Sequence, residues 1–449
     1  MNIKSCSFNQ LKPLAVIILM TLLFALPGSR SLHAQTNHTG DAQSITALRN
    51  DIKSDTRLRE VRTMAQKLVA SGFTAGSGYG EVWIRDFNTF IRLSCKVMPL
   101  DTVKQKLLLF FKMQGQDGNI IDGYIPKTKA SVGYDYIYSS LAPGLAGHKN
   151  TVETDQESSL IQAVYKYIEV THDQQILQEM IGGKSVADRM EMALDYLMKS
   201  HYSKKYGLLY GATTADWGDV QPESPWGVVI DSNSHMAIDI YDNAMFLIAL
   251  NNFLEMEPAK HRWEKVQKDI RKQVRRVLWD AKNQKFRPHV YLNGSPFPKD
   301  FDENKILYYG GTAIAIQAGL LTKKEIAAVN QQMVAGVKAA GAPSIGLTLY
   351  PTYPAGFFKN KGMYPYGYQN GGDWTWFGGR MILELVRNGF VGEAYQEISP
   401  MLNRVIKNKG FYEWYTRDGK PAGSGSFRGS AGVLFDAINA LETWAAASN

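Results

Sequence analysis

Hydrophobic positions recur along most of the chain at three- and four-residue intervals, the spacing of one helix face, and alternating stretches that would make strands are few. Polar caps at the starts, with Gly and Pro at the stops, predict helices at 44–70, 86–97, 101–113, 155–171, 183–200, 236–256, 261–280, 309–319, 322–336, 372–388, 391–407 and 429–446. The twelve are joined by alternately short and long connections, so they pair into six hairpins and predict an all-α fold. Every long connection precedes an even-numbered helix and is rich in aromatic residues and glycine. If the even helices form the inner ring of a barrel, these connections gather at one rim, where polar groups distant in sequence converge on one pocket.

The longest apolar run, residues 14–26, interrupts this pattern. It follows Lys4 and Lys12 and is succeeded by Pro27, Gly28 and Leu32-His33-Ala34. Such a run is too short for a bilayer core of about 30 Å, and its flanks are those of a secretory signal peptide. Residues 1–34 are therefore expected to be a signal peptide, 35–43 a flexible leader, and 44–449 a single domain, exported to the periplasm or the medium without stable membrane insertion. Of the two cysteines only Cys95 lies beyond residue 34, so no internal disulfide forms and a large core must hold the domain. The balance of 45% hydrophobic and 20% charged residues over 449 positions suits such a core. Beyond residue 34 the net charge is near +5, from 47 basic and 42 acidic residues. The densest basic stretch, 260–276, carries Glu264 and Asp269 at helical spacing, which marks a solvated helix face and excludes nucleic acid as a partner.

Three catalytic classes fall away. The eight His never pair at ligand spacing and Cys95 stands alone, so neither a metal nor another cofactor is implied. The serine-rich stretch 423–426 has no His after it, and the 76–80 loop lacks the Lys-Ser/Thr ending of a phosphate cradle. What remains is carboxylates among aromatic rings. Trp83, Trp217, Trp374, Trp376 and Trp414 fall in the rim segments, whereas Trp263, Trp279 and Trp444 sit at helical spacing and belong to the core. Flat rings stack on the apolar faces of a sugar while its hydroxyls take carboxylates, amides and Arg, so the expected partner is a carbohydrate. Glycoside cleavage needs two carboxyl groups, one protonated and one ionised. Asp216 and Asp219 flank Trp217, and Glu413 lies between Tyr412 and Trp414. Their loops precede helices six and twelve, half a barrel apart, so the two sets should face each other.

Three segments carry a family resemblance. Trp83-Ile84-Arg85-Asp86, Gln369-Asn370-Gly371-Gly372-Asp373-Trp374, and Phe411-Tyr412-Glu413-Trp414-Tyr415 with the later Ser430-Ala431-Gly432 occur in that order. The chain resembles the six-hairpin (α/α)6-barrel glycosidases, the group of glucoamylases, trehalases, neutral invertases and processing and glucosylglycerate α-glucosidases. The resemblance implies that Arg85 and Asp86 clasp a sugar beside Trp83, and that Glu413 is the general base. It favours Asp219 as the general acid, with Asp216 a rival because the Asp-Trp order also recurs there. Trp217, Gln369, Asn370, Trp374 and Trp414 would complete the substrate site. Glu153, Asp155 and Gln156 are candidates for binding or for capping the helix they precede, and Tyr124 and Tyr309 for wall or packing. The implied activity is that of an inverting, exo-acting α-glycosidase, α-glucosidase-like, on small glycosides or oligosaccharide ends, with its two acids about 6.5–9.5 Å apart. Two alternatives share the barrel: a polysaccharide lyase or unsaturated-uronide hydrolase, which wants several basic residues in the pocket, and a non-catalytic sugar-binding protein.

Overall fold

The computed structural model describes residues 38–130 and 135–447. The chain divides at residue 45, and residues 46–449 form one compact unit. Thirteen helices are described: α1 (His38–Ser54), α2 (Thr56–Val69), α3 (Ile84–Val97), α4 (Leu100–Lys112), α5 (Gln156–Thr171), α6 (Val186–Ser200), α7 (Ile240–Met256), α8 (Arg262–Val277), α9 (Tyr309–Gln317), α10 (Lys323–Ala340), α11 (Thr375–Arg387), α12 (Val391–Lys407) and α13 (Arg428–Ala446).

The extra helix arises where 44–70 was expected to be continuous. Asp55 accepts the Arg57 amide at 3.0 Å and starts a second helix there. Helix α1 begins at His38, inside the stretch expected as a leader; residues 35–37 and the expected signal peptide lie outside the described residues. Residues 236–238, expected to be helical, form a strand, because Asp239 accepts the Asp242 amide at 2.8 Å and sets the start of α7 at Ile240.

Helices α3, α5, α7, α9, α11 and α13 pack each on the next, and α13 closes back onto α3. Alternate helices lie outside and lean on this ring: α2 on α13 and α3, α4 and α6 on α5, α8 on α7, α10 on α9 and α12 on α11. Burial explains the sorting. In α7 twelve of 17 residues are buried, including Tyr241, Phe246 and Phe253, so it is apolar on all sides and can lie only inside. In α8 three of 16 are buried, Trp263, Ile270 and Val274, which is the single stripe of an outer helix. The long connections carry short antiparallel ladders at the starts of inner helices. Trp83 of Val82–Trp83 pairs with Gly123, whose strand pairs in turn with Leu145–His148. Leu307–Tyr308 pairs with Leu349–Tyr350 before α9, and Tyr412–Tyr415 with Pro421–Gly425 before α13. The side chains next to these ladders are thereby fixed at the ends of inner helices.

Candidate active site

A cavity of about 400 Å3 opens among the connections before α3, α5, α7, α11 and α13. Its charged wall is made of Arg85, Asp86, Asp122, Asp219 and Glu413, with His148 beside them.

Arg85 organises one side. Its Nε donates to Asp155 Oδ2 at 3.0 Å, its Nη2 donates to Glu153 and lies 3.5 Å from Asp122 Oδ1, and its Nη1 stands 3.8 Å from Asp219 Oδ2. One cation thus faces four carboxyl groups, three of them buried. Burial pushes Glu153 well above its ordinary value and Asp122 up to about 7, both against the pull of Arg85. Asp86 is pushed up to about 7 by burial, with Arg85 opposing and Glu413 adding to the rise. His148 is lowered to about 4 by burial and is therefore neutral at pH 7.

Asp219 ends the Trp217-Gly218-Asp219 turn. Asp216 enters that turn with φ of 58°, the left-handed region that lets the chain reverse. A Cβ on Gly218 would lie 2.7 Å from Gln369 Oε1, so a side chain there would push the Gln369 amide aside. Gln369 Nε2 then donates to Asp219 Oδ1 at 2.6 Å, and Asn150 donates to the Asp219 carbonyl at 3.3 Å. The Asp219 side chain remains 22% exposed.

Glu413 is 4% exposed and sits on a hairpin strand where the ladder shifts register between Tyr412 and Trp414. Tyr79 Oη donates to its Oε1 at 2.9 Å and the Ser424 amide to its Oε2 at 2.7 Å. A Cβ on Gly423 would lie 2.5 Å from that Oε2, and Gly423 has φ of 68°, so glycine is required for the amide to come this close. Burial raises the Glu413 pKa, the two donors partly offset the rise, and the charge of Asp219 adds to it. The hairpin is tied to the Gln369 loop by paired bonds between Asp373 and Tyr415, amide to carbonyl at 2.9 and 2.8 Å. Asp373 is itself held by Arg404 at 2.7 Å and by Ser344.

The apolar wall is a ring cluster. Trp217 packs against Trp374, Phe377 and Trp376 with centroids 4.7, 4.8 and 5.1 Å apart. Trp83 meets His148 edge-on at 5.7 Å. Among the expected site residues, Trp83, Arg85, Asp86, Trp217, Asp219, Gln369, Trp374 and Glu413 reach the cavity.

The remaining expected residues do not. Asp216 is 1% exposed and turns away, both its oxygens accepting the Gly311 amide at 2.9 and 3.1 Å at the start of α9; burial lifts it to about 8. Glu153 and Asp155 lie behind Arg85, and Asp155 makes no cap bond but accepts from Tyr241 Oη at 2.7 Å. Gln156 donates to the Asn150 carbonyl at 3.2 Å and Asn370 folds its own loop by bonding Tyr353 and Met363. Tyr124 and Tyr309 are core residues bonded to the carbonyls of Lys106 and Met333, and Trp414 is buried beside Tyr368. Arg85 reaches the cavity with its Nε and Nη2 committed to carboxyl groups.

The sequence reading passed over Tyr79, Asp122, His148, Asn150, Tyr368 and Trp226, all of which line the cavity. Tyr368 directly precedes the Gln369 motif and Asp122 is two residues before Tyr124, so proximity to a motif was the available signal. Tyr79 lies in the 76–80 turn, where no spacing marks it. Among the described residues no group of three or more His, Cys, Asp or Glu is placed to hold a metal ion.

No protein-family model matches the chain, and no curated protein is similar to it in sequence. Solved structures are similar in fold. A GH63 mannosylglycerate hydrolase from Thermus thermophilus in complex with glucose is 14% identical, with a TM-score of 0.61 over 84% of this chain and 99% of that one. The same enzyme with Tris and D-glycerate gives 15% and 0.60 over the same shares. A rhamnosidase from Klebsiella oxytoca with rhamnose bound is 13% identical, with a TM-score of 0.56 over 85% of this chain and 63% of that one. The fold is thus the six-hairpin (α/α)6 barrel found in these glycosidases.

Proposed function

We propose that the protein is a glycoside hydrolase, an inverting exo-acting α-glycosidase with Asp219 as general acid and Glu413 as general base. The observation that carries this reading is the occurrence of both carboxylates on the wall of one aromatic-walled cavity, on connections half a barrel apart. A cavity of about 400 Å3 is at the small end of ligand sites and suits the end of a glycoside better than a long chain. Asp219 Oδ1 accepts the Gln369 amide at 2.6 Å, while Oδ2 has, among the described residues, only Arg85 Nη1 at 3.8 Å, so Oδ2 is the oxygen assigned to carry the proton for the glycosidic oxygen. Glu413 accepts a proton from water as the water oxygen bonds the anomeric carbon, and the bond from that carbon to the leaving oxygen breaks on the opposite face. The leaving group departs as an alcohol with the proton from Asp219, and the freed sugar has the inverted configuration. Asp86, which has no hydrogen bond to another side chain among those described, is left to accept from sugar hydroxyls.

The alternative of a carboxylate-bearing substrate, lyase or unsaturated uronide, is not favoured. Arg85 is held by four carboxyl groups, Arg428 is spent on Thr74 and Ser71, and Arg380 lies over the Trp376 ring. Export to the periplasm or medium is proposed from the 14–26 apolar run, and N-terminal sequencing of secreted protein beginning at Gln35 would support it. The hydrolase reading is tested by screening wild type and Glu413→Gln on α- and β-linked gluco-, manno- and galactosides while following the released anomer by NMR. Turnover of an α-glycoside with inversion, lost in the variant, is expected. Retention would overturn the inverting assignment, and sugar binding without turnover of any substrate would overturn the hydrolase.

A further inference from the structure

The cavity wall changes character towards its mouth. The inner wall is charged and buried: Arg85, Asp86, Asp122 and Glu413 are each no more than 9% exposed. The outer wall is made by Trp226, Val228, Asn360 and Gly362, all at least partly exposed, and none of these is charged. Trp226 is 52% exposed although it lines the cavity, and Val229 and Tyr364, close in sequence to the lining residues Val228 and Gly362, are 50% and 49% exposed.

The loops that carry this surface are tied down by their backbones. Gln221 donates to the Gly227 carbonyl at 3.0 Å across a turn in which Gly227 has φ of 83°. Lys359 donates to Pro222 at 3.0 Å and joins the 359–362 segment to this turn. Thr151 donates to Val228 at 3.2 Å and its Oγ1 accepts the Ile230 amide at 2.8 Å, which ties the turn to the connection carrying Asn150. The half-exposed Trp226 indole is thus carried on a tethered loop.

Resting on the reading of Asp219 as the acid, we propose that Trp226 is the platform for the leaving group and that this group is an uncharged ring, a second sugar or an aryl aglycone. Asp219 and Trp226 stand on the same connection, the one before α7, and both line the cavity, so the substituent of an oxygen protonated by Asp219 is placed towards Trp226. The ring's C–H face stacks on the indole. Asn360, whose Oδ1 accepts the Gly362 amide at 2.8 Å, keeps its amide N–H groups for hydroxyls. An acidic leaving group is disfavoured because the cavity offers it no free cation: among the described residues Arg85 is the one Lys or Arg lining it and faces four carboxyl groups, and Lys359 and Lys361, though they flank Asn360, do not line it.

The test compares leaving groups on one sugar, in the gluco and manno series: the α-glycosyl fluoride, the neutral disaccharide and 4-nitrophenyl glycoside, and the 2-O-α-glycosylglycerate. Wild type is expected to prefer the neutral rings to the glycerate by at least about tenfold in kcat/KM. Trp226→Ala is expected to lower the ratio of ring-bearing to fluoride kcat/KM about tenfold, and Trp226→Phe to restore most of it. An unchanged ratio in Trp226→Ala, or a preference for the glycerate, would overturn the proposal even with hydrolysis intact. If no fluoride is turned over, the hydrolase reading itself fails. The platform is then decided by equilibrium binding: neutral disaccharide bound more tightly than glycosylglycerate, and weakened by Trp226→Ala, upholds it, and the reverse order overturns it.

Discussion

The two walls that carry Asp219 and Glu413 are built by opposite means. Glu413 is held by its own hairpin, through the Ser424 amide and the close approach that Gly423 allows, with one further bond from Tyr79. Asp219 is held from a distance: Gln369 is 150 positions away and Arg85 belongs to the first inner helix. The proposed base thus takes one donor from its own hairpin and one from 334 positions away. The proposed acid is set among groups from several connections and, among the described residues, takes no bond from its own turn's backbone.

That difference can be broken at several points. The largest effect is expected on removing either carboxylate: Glu413→Gln and Asp219→Asn should each lower kcat by about 10³-fold with an unchanged thermal midpoint. The Asp219 loss should shrink on 4-nitrophenyl glycosides, whose leaving group needs little protonation. Next is Arg85→Leu, which leaves Asp122, Glu153 and Asp155 buried without their cation and should cost about 3 kcal/mol in denaturant unfolding. Asp216→Asn should cost about 1 kcal/mol, since its carboxyl group, lifted to about 8, is already largely uncharged at pH 7 where it accepts the Gly311 amide. Its kcat should remain far above that of Asp219→Asn, and the opposite ranking would transfer the acid role to Asp216.

The smallest effect sharpens the comparison. The Tyr79 bond favours ionised Glu413 while burial opposes it, so Tyr79→Phe raises the Glu413 pKa further. The base must be ionised, so the acidic limb of the kcat/KM profile moves to higher pH. Activity falls by about tenfold at most on that limb and little at high pH. A loss equal at every pH would show that Tyr79 does no more than pack.

The division between what was legible in the chain and what was not follows residue by residue. Helix α7 is apolar on every side and α8 on one stripe, so which helices lie inside was written in their periodicity. The order of short and long connections put the aromatic segments at one rim, and Trp217, Asp219 and Glu413 with them. The split of 44–70 was missed because one Asp side chain outweighs an otherwise continuous helical pattern. Asp216 and Asp219 could not be separated by spacing, because the left-handed turn at Asp216 sends one carboxyl group to the α9 amides and the other to the cavity.

Sequence by itself determined the six hairpins, the inner ring and the rim, because hydrophobic period and connection length are local quantities that each segment states on its own. The tertiary structure alone decided which rim residues touch the cavity. Tyr79, Asp122 and Trp226 reach it, while Asn370, Trp414 and Tyr124 do not. Side chains in irregular connections have no period to fix their direction, and where they point is set by the contacts of the folded connections, near in sequence for Asn370 and far for Tyr79.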